Sequence, residues 1–158
     1  MNPIGQFQEL VTALGQALRL KLGAIDTGTR SVEVQYEDGS NVVLSCLEER
    51  GEISLSSELC FAPTGERLQA LSLALLSDHA FGVETNGVYF AFNKSAGKFL
   101  VFSTHPLRNL DGDTLRTALN SLIRTRLQWR KAYDQGHLGQ AAELQATIPA
   151  CPVGFNFA

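Results

Sequence analysis

Cysteine and histidine are the residue types in this chain that most often act as nucleophiles, general bases or metal ligands. Cys46, Cys60 and Cys151 are widely spaced and form no CxxC pair, so they predict neither a zinc site nor a disulfide framework. Cys46 and Cys60 lie within apolar strand patterns, where a thiol behaves as a small buried hydrophobic side chain. Cys151 lies in the C-terminal tail and is a candidate free thiol.

The histidines and the known catalytic motifs also give no indication of an active site. His79 ends a predicted helix, where a cation interacts favourably with the helix dipole, and His105 precedes Pro106 at a strand end. His137 is distant in sequence from both, and the motifs GxxxxGK[ST], GxGxxG, GxSxG and HExxH do not occur. We therefore expect no enzymatic activity, no cofactor and no metal. A small hydrolase or thiol enzyme that uses Cys60 or Cys151 is the enzymatic alternative.

Charge and hydropathy argue against two further classes of protein. The 158 residues include 13 basic and 16 acidic side chains, a formal net charge of −3, whereas nucleic-acid binders need a basic surface for phosphate contacts. No apolar run approaches the roughly 20 residues that cross a bilayer. The first residues, MNPIGQFQEL, lack the basic and apolar regions of a signal peptide. We expect a cytoplasmic protein that neither binds nucleic acid nor inserts into a membrane.

The amino-terminal segment has the pattern of an amphipathic helix. Asn2 is a favourable N-cap residue, and Pro3 suits the first helical position. Gly23 is placed to end the helix. The apolar positions recur every three or four residues, and they are Ile4, Phe7, Val11, Leu14 and Leu18.

Five strands are predicted around a second helix. Val32, Val34 and Tyr36 alternate with polar residues, and Asp38-Gly39 is typical of a hairpin turn. Two more strands follow at residues 42–47 and 53–61, and the short connections require antiparallel pairing. A second hairpin joins residues 88–92 to residues 99–103. With a third helix, the order is α-β-β-β-α-β-β-α, which predicts a single α+β domain with an antiparallel sheet packed by helices.

The second helix is apolar around nearly its whole circumference. Thr64 is its predicted N-cap, and between residues 68 and 76 only Gln69 and Ser72 are polar. Such a helix needs cover on more than one side, and one sheet covers one side only. The sequence therefore favours a self-association surface on this helix. An unusually buried helix in a monomer is the alternative.

The third helix is predicted to begin at the N-cap residue Asp111. Beyond Gly136 the pattern weakens: residues 139–146 suit a short helix, and residues 149–158 suit a loose tail that exposes Phe155 and Phe157. The apolar face of the third helix consists of Leu115, Leu119, Leu122, Ile123, Leu127 and Trp129.

Three passages resemble the CesT/Tir-chaperone family of type III secretion chaperones. They are LQALSLALLSDHAFG at 68–82, GVYFAFNKSAGKFLVFSTHPL at 87–107 and LDGDTLRTALNSLIRTRLQWRKAY at 110–133. The first helix and the three-strand meander fit the same pattern. We therefore divide the chain into a chaperone-like domain, 1–135, and a C-terminal extension, 136–158, that exceeds the family pattern.

The resemblance implies a homodimeric, ATP-independent chaperone of the bacterial cytoplasm. Such dimers bind an extended N-terminal segment of a secreted effector and keep it soluble and export-competent; the secretion ATPase is a candidate further partner. A non-enzymatic adaptor or regulatory dimer of the secretion apparatus with the same fold is the alternative. The implied dimer interface consists of Leu68, Leu71, Leu75, Val88 and Phe90. The implied effector contacts are Phe7, Val11, Leu14, Leu18, Val32, Val34, Val42 and Leu44.

Overall fold

The structure is a computed structural model that describes residues 2–18, 25, 26, 28, 30–36, 39–79 and 87–137. Its helices and strands are α1 Pro3–Leu18, β1 Ser31–Gln35, β2 Asn41–Leu47, β3 Glu52–Phe61, α2 Glu66–Asp78, β4 Tyr89–Asn93, β5 Lys98–Pro106 and α3 Gly112–Asp134. The strands form one antiparallel sheet in the order β1-β2-β3-β5-β4. The predicted element order and α+β fold class are confirmed.

Helix α1 begins as the sequence predicts. The Oδ1 atom of Asn2 accepts a hydrogen bond from the N–H of Ile4 at 3.1 Å, and Pro3 is the first helical residue. Its apolar side chains Phe7, Val11 and Leu14 are buried. The predicted helix stop, Gly23, lies outside the described residues.

The first hairpin joins β1 to β2 through a glycine turn. Gly39 has φ +77°, a conformation that favours glycine, and its N–H donates to the Tyr36 carbonyl at 2.9 Å. Val34 pairs with Val42. Because side chains alternate across a strand, both valines lie on the buried face of the sheet.

The central strand β3 contains a bulge that α3 holds in place. The register between β3 and β5 shifts between Glu58 and Cys60, so that both Leu59 and Cys60 are buried. The Nε of Arg126 donates to the Glu58 carbonyl at 2.8 Å, and Nη1 of Arg130 donates to the Leu59 carbonyl at 3.2 Å. Two arginines of α3 therefore bind the carbonyls that the bulge turns away from the ladder.

The helices cover one face of the sheet. Helix α1 packs over β2 and against α3, which itself lies over β3 and β5. The start of α2 reaches the end of α3, where Arg67 Nη2 donates to the Tyr133 carbonyl at 3.3 Å and the guanidinium lies 4.6 Å from the Tyr133 ring centroid. The Phe90 and Trp129 rings meet edge-on at 5.0 Å. The core therefore lies between the sheet and this helical layer.

Two details of the helices differ from the sequence expectation. Helix α2 begins at Glu66 with Gly65, not Thr64, at the cap. Gly65 has φ +63°, so the turn falls on the residue that tolerates this conformation, and Thr64 lies before the helix. On α3, Leu127 is 46% exposed, because the buried face continues through Thr125 and Trp129 and Leu127 lies to its side. The N-cap Asp111 is confirmed, with Oδ1 accepting from Thr114 N–H at 2.8 Å.

Other expectations fall mostly outside the described part of the chain. The structure describes residues 136 and 137 of the extension, and neither the predicted helix at 139–146 nor Cys151 is included. The division of the chain at residue 135 remains a prediction. Among the described helices, none has both the length and the apolar character required to cross a bilayer.

Candidate functional site

The two cysteine thiols that the structure describes, together with His105, lie in surroundings that disfavour catalysis. Cys46 and Cys60 are buried, and burial raises the pKa of both thiols, which disfavours the reactive thiolate. His105 Nε2 lies 3.0 Å from Ser103 Oγ, but Ser103 is only 1% exposed and offers a substrate no access. Among the described residues, no three His, Cys, Asp or Glu side chains are grouped closely enough to bind a metal.

His79 has a structural position at the end of α2. It is the C-cap residue of the helix, as the sequence predicts. Its Nδ1 accepts a hydrogen bond from the Phe90 N–H at 3.1 Å, and its ring lies 5.2 Å from the ring of Tyr89. The side chain therefore attaches the end of α2 to the first residues of β4.

An apolar groove of about 300 Å³ lies between α2 and β4. On its two sides Leu76 is 69% exposed and Phe92 is 50% exposed. Leu73, one helical turn before Leu76, is 67% exposed, so the apolar surface continues along α2. We call this the α2–β4 groove; its lining residues are Ser72, Leu75, Leu76, His79, Phe90, Ala91, Phe92 and Phe99.

Strand β1 forms the other edge of the sheet. The Cys46 N–H donates to the Arg30 carbonyl at 2.9 Å, which makes these two a hydrogen-bonded pair. Because hydrogen-bonded pairs recur at every second residue, the N–H and C=O groups of Glu33 and Gln35 point away from β2. This edge can accept an additional strand through its main chain.

Two further depressions open on the surface of the described residues. A groove of about 370 Å³ separates α1 from the turn before α3; we call it the α1 groove, and it is lined by Gln6, Glu9, Leu10, Ala13, Leu107, Arg108 and Leu110. A cavity of about 330 Å³ opens beside β1 and β2; its lining residues are Glu33, Gly39, Ser40, Asn41, Val43, Ser56, Ser57, Glu58, Leu100 and Arg126. The first combines apolar walls with one acidic and one basic side chain, and most of the residues that line the second are of polar types.

The residues that the resemblance assigned to a dimer interface are mostly enclosed by their own chain. Leu71, Leu75, Val88 and Phe90 are at most 9% exposed, and Leu68 is partly buried against the core. An interface role for these five residues remains a prediction. The α2 leucines that the chain leaves available to a partner are Leu73 and Leu76.

The implied effector-contact residues also face the core. A partner reaches them only if the helices separate from the sheet, so direct contact remains a prediction. The side chain of Leu18 lies outside the described residues. The other seven residues are each at most 2% exposed, and they are Phe7, Val11, Leu14, Val32, Val34, Val42 and Leu44.

The edge of β1 and the apolar grooves among the described residues are surfaces that can bind a protein segment, and comparison with known families identifies the family of the chain. The family model described as Tir chaperone protein (CesT) family matches residues 9–130. The chain belongs to the CesT family. The match extends from α1 into α3 and includes all five strands, so the resemblance noted in the sequence is confirmed.

Known structures share the fold of this CesT-family chain at low sequence identity. The structure of the HopA1-SchA chaperone-effector complex matches at 17% identity, covers 80% of this chain and 94% of that chain, and has a TM-score of 0.67. The ExsC-ExsE complex matches at 16% identity, 83% and 96% coverage and a TM-score of 0.67. The ExoU-SpcU complex of the Pseudomonas aeruginosa type III secretion system matches at 22% identity, 82% and 94% coverage and a TM-score of 0.56. No curated protein sequence gives a match.

Sequence reasoning missed the exposed residues of the candidate site. Leu73, Leu76 and Phe92 belong to apolar runs, but nothing in their spacing separates them from buried neighbours. The main-chain groups of Glu33 and Gln35 carry no sequence signal, because any residue type presents the same N–H and C=O. The predicted alternation in β1 indicates which side chains leave the core, whereas the edge position of β1 comes from the strand order of the sheet.

Proposed function

We propose that this CesT-family chain is a type III secretion chaperone of the bacterial cytoplasm. As a homodimer it binds an extended N-terminal segment of one or more effectors and keeps them soluble and export-competent, without enzymatic activity. The family match over residues 9–130 is the observation that carries this proposal. The chaperone–effector complex with the same fold and the open binding surfaces support it.

Strand addition to β1 is the proposed mode of effector binding. The outward N–H and C=O groups of Glu33 and Gln35 can pair with an extended segment of almost any sequence. The α1 groove can then accept an apolar side chain near Leu10 and Leu110. Main-chain pairing gives affinity that tolerates sequence differences, whereas the groove gives selectivity. Shielding an apolar effector segment in this way also prevents its aggregation.

The proposed dimer covers the apolar surface formed by Leu73, Leu76 and Phe92. These side chains are exposed by 67%, 69% and 50%, and a contiguous exposed apolar patch is typical of a protein interaction site. A second copy of the chain is the occupant that the family match favours. The surface lies on the opposite edge of the sheet from β1, so a dimer leaves both β1 edges available to an effector.

Co-purification from the native bacterium tests effector binding. The bound protein is identified by mass spectrometry, and limited proteolysis of the complex maps the protected segment. Glu33→Pro removes one outward N–H at a position where an edge strand tolerates proline, and it is expected to lower recovery of the effector. Glu33→Ala keeps that N–H and is the matched control. Equal recovery with both variants contradicts strand addition, and capture of a secretion-machine component instead of an effector favours the adaptor alternative.

Sedimentation velocity tests the dimer separately. The parent chain is expected to sediment as a dimer, and Leu73→Asp combined with Leu76→Asp is expected to give a folded monomer, because two charges then lie in the contact. Leu127→Asp places the same charge on another exposed leucine of the helical layer and is the control. A parent chain that still sediments as a monomer at a concentration about 100 times a micromolar dissociation constant contradicts the homodimer.

A further inference from the structure

Two cations on the outer face of α3 are not neutralised by any group of the described chain. Arg124 and Lys131 are exposed, and neither forms a hydrogen bond or an ion pair with a residue that the structure describes. The other three cations of the helix bind carboxylates or carbonyls of their own chain, and they are Arg116, Arg126 and Arg130. Arg124 and Lys131 are therefore available to a partner.

An exposed leucine lies between these two cations. Residues 124, 127 and 131 are three and four positions apart, so their side chains share one face of the helix. Leu127 is 46% exposed, and Arg124 and Lys131 are separated by about 10 Å along the helix axis. We call these three residues the α3 stripe. It has an apolar centre with a positive charge at each end.

The fold itself accounts for only one residue of the α3 stripe. Lys131 lies in the last turn of α3, where a cation interacts favourably with the helix dipole. Arg124 lies ten residues before the end of the helix at Asp134, beyond the range of that effect. Leu127 lies beside the buried face of the helix and contributes little to the core. Arg124 and Leu127 therefore have no evident structural role among the described residues.

Charge complementarity indicates an acidic partner for the α3 stripe. Residues 108–131 include six basic and two acidic side chains, whereas the whole chain has a net charge of −3. This segment therefore attracts acidic groups that the chain as a whole repels. Two copies of the stripe placed face to face would bring like charges together, which disfavours a second copy of this chain as the occupant.

We infer that the α3 stripe binds an acidic amphipathic helix of another protein. On such a helix two carboxylates seven residues apart have the same axial separation as Arg124 and Lys131. An apolar residue between them, on the same face, meets Leu127. The α3 stripe shares no residue with the β1 edge, the α1 groove or the α2–β4 groove. This inference therefore does not depend on the proposed effector and dimer contacts.

A synthetic acidic peptide tests the inference by fluorescence anisotropy with the full-length chain. The peptide is an alanine-rich helix of about 20 residues with the central pattern ExxLxxxE. It is expected to bind saturably, and Arg124→Glu combined with Lys131→Glu is expected to weaken binding about tenfold or more. Arg50→Glu combined with Lys94→Glu makes the same change in net charge at exposed positions outside α3 and is the matched control. It is expected to keep the affinity of the parent chain.

A second peptide distinguishes a helix partner from a general attraction of anions. Serine in place of its central leucine keeps the charge and is expected to weaken binding about fivefold, because the apolar contact with Leu127 is lost. Equal binding of the two peptides assigns the stripe to anions of any kind, such as the phosphates of a nucleic acid or a membrane, and overturns the inference.

Charge reversal on both sides completes the test. A peptide with lysine in place of both glutamates is expected to bind the Arg124→Glu, Lys131→Glu variant and not the parent chain, which also shows that the variant is folded. Absence of this rescue overturns the inference. It is also overturned if the parent chain shows no saturable binding of the acidic peptide up to about 1 mM, or if the matched control loses as much affinity as the stripe variant.

Discussion

His79 and Phe90 connect the end of α2 to the edge of the sheet. The Nδ1 atom of His79 accepts the Phe90 N–H at 3.1 Å, eleven residues apart in sequence. Phe90 in turn contacts Trp129 of α3. One hydrogen bond therefore joins a helix terminus, an edge strand and the core, and it fixes the wall of the α2–β4 groove.

His79→Ala is expected to lower the free energy of unfolding by about 1–2 kcal/mol, because the Phe90 N–H loses its acceptor and the ring contact with Tyr89 is lost. Denaturation in urea measures the change. Gln69→Ala, an exposed substitution on the same helix, is the control and is expected to stay within about 0.5 kcal/mol of the parent. Equal stability of the two variants would show that this contact does not hold α2 to β4.

Leu71→Ala and Leu73→Ala are expected to change the stability of the chain by very different amounts. Leu71 is fully buried and Leu73 is 67% exposed. Leu71→Ala leaves a cavity and is expected to lower stability by about 2–5 kcal/mol, whereas Leu73→Ala is expected to change the stability of the monomer by less than about 0.5 kcal/mol. Chemical denaturation at low protein concentration separates them. A large loss with Leu73→Ala would mean that this leucine packs within its own chain.

Arg126→Ala is expected to destabilise the β3 bulge. The guanidinium donates to the Glu58 carbonyl, and the hydrogen bond of a partly exposed charged donor contributes about 1 kcal/mol. Arg124→Ala removes an exposed arginine of the same helix and serves as the control. The difference in urea midpoint between the two variants measures the contribution, and a difference of zero would refute it.

Local patterns determine most of the fold of this chain, which is why its sequence allowed the element order to be predicted. Asn2 and Asp111 cap helices through their own side chains, and the valines of β1 alternate with polar residues. The β3 bulge had no such signal, because it depends on how β5 pairs with β3 and on two arginines some seventy residues away. Non-local pairing of this kind is not encoded in a short window of sequence.

The candidate site was harder to predict, since periodicity identifies the residues that face the core. Val34 and Leu71 can be recognised in the sequence because each belongs to a series of regularly spaced apolar residues. Such a series forms the face that packs on the core, so their own chain buries both side chains. Leu73 has the same side chain as Leu71, and only the rotation of α2 about its axis distinguishes the two. A binding surface made of the remaining apolar residues and of main-chain groups becomes visible only when the layers are assembled.

His105 is expected to make the stability of the chain depend on pH. Burial lowers the pKa of His105 below its usual value of 6.5, so the unfolded chain takes up a proton at a higher pH than the folded chain does. The unfolded state therefore binds more protons below about pH 6.5, and the free energy of unfolding falls as the pH falls. His105→Gln is expected to reduce this slope. Urea denaturation at about pH 7.5 and about pH 5.5, either side of the usual histidine range, measures the slopes, and an unchanged slope in His105→Gln would assign the dependence to other groups.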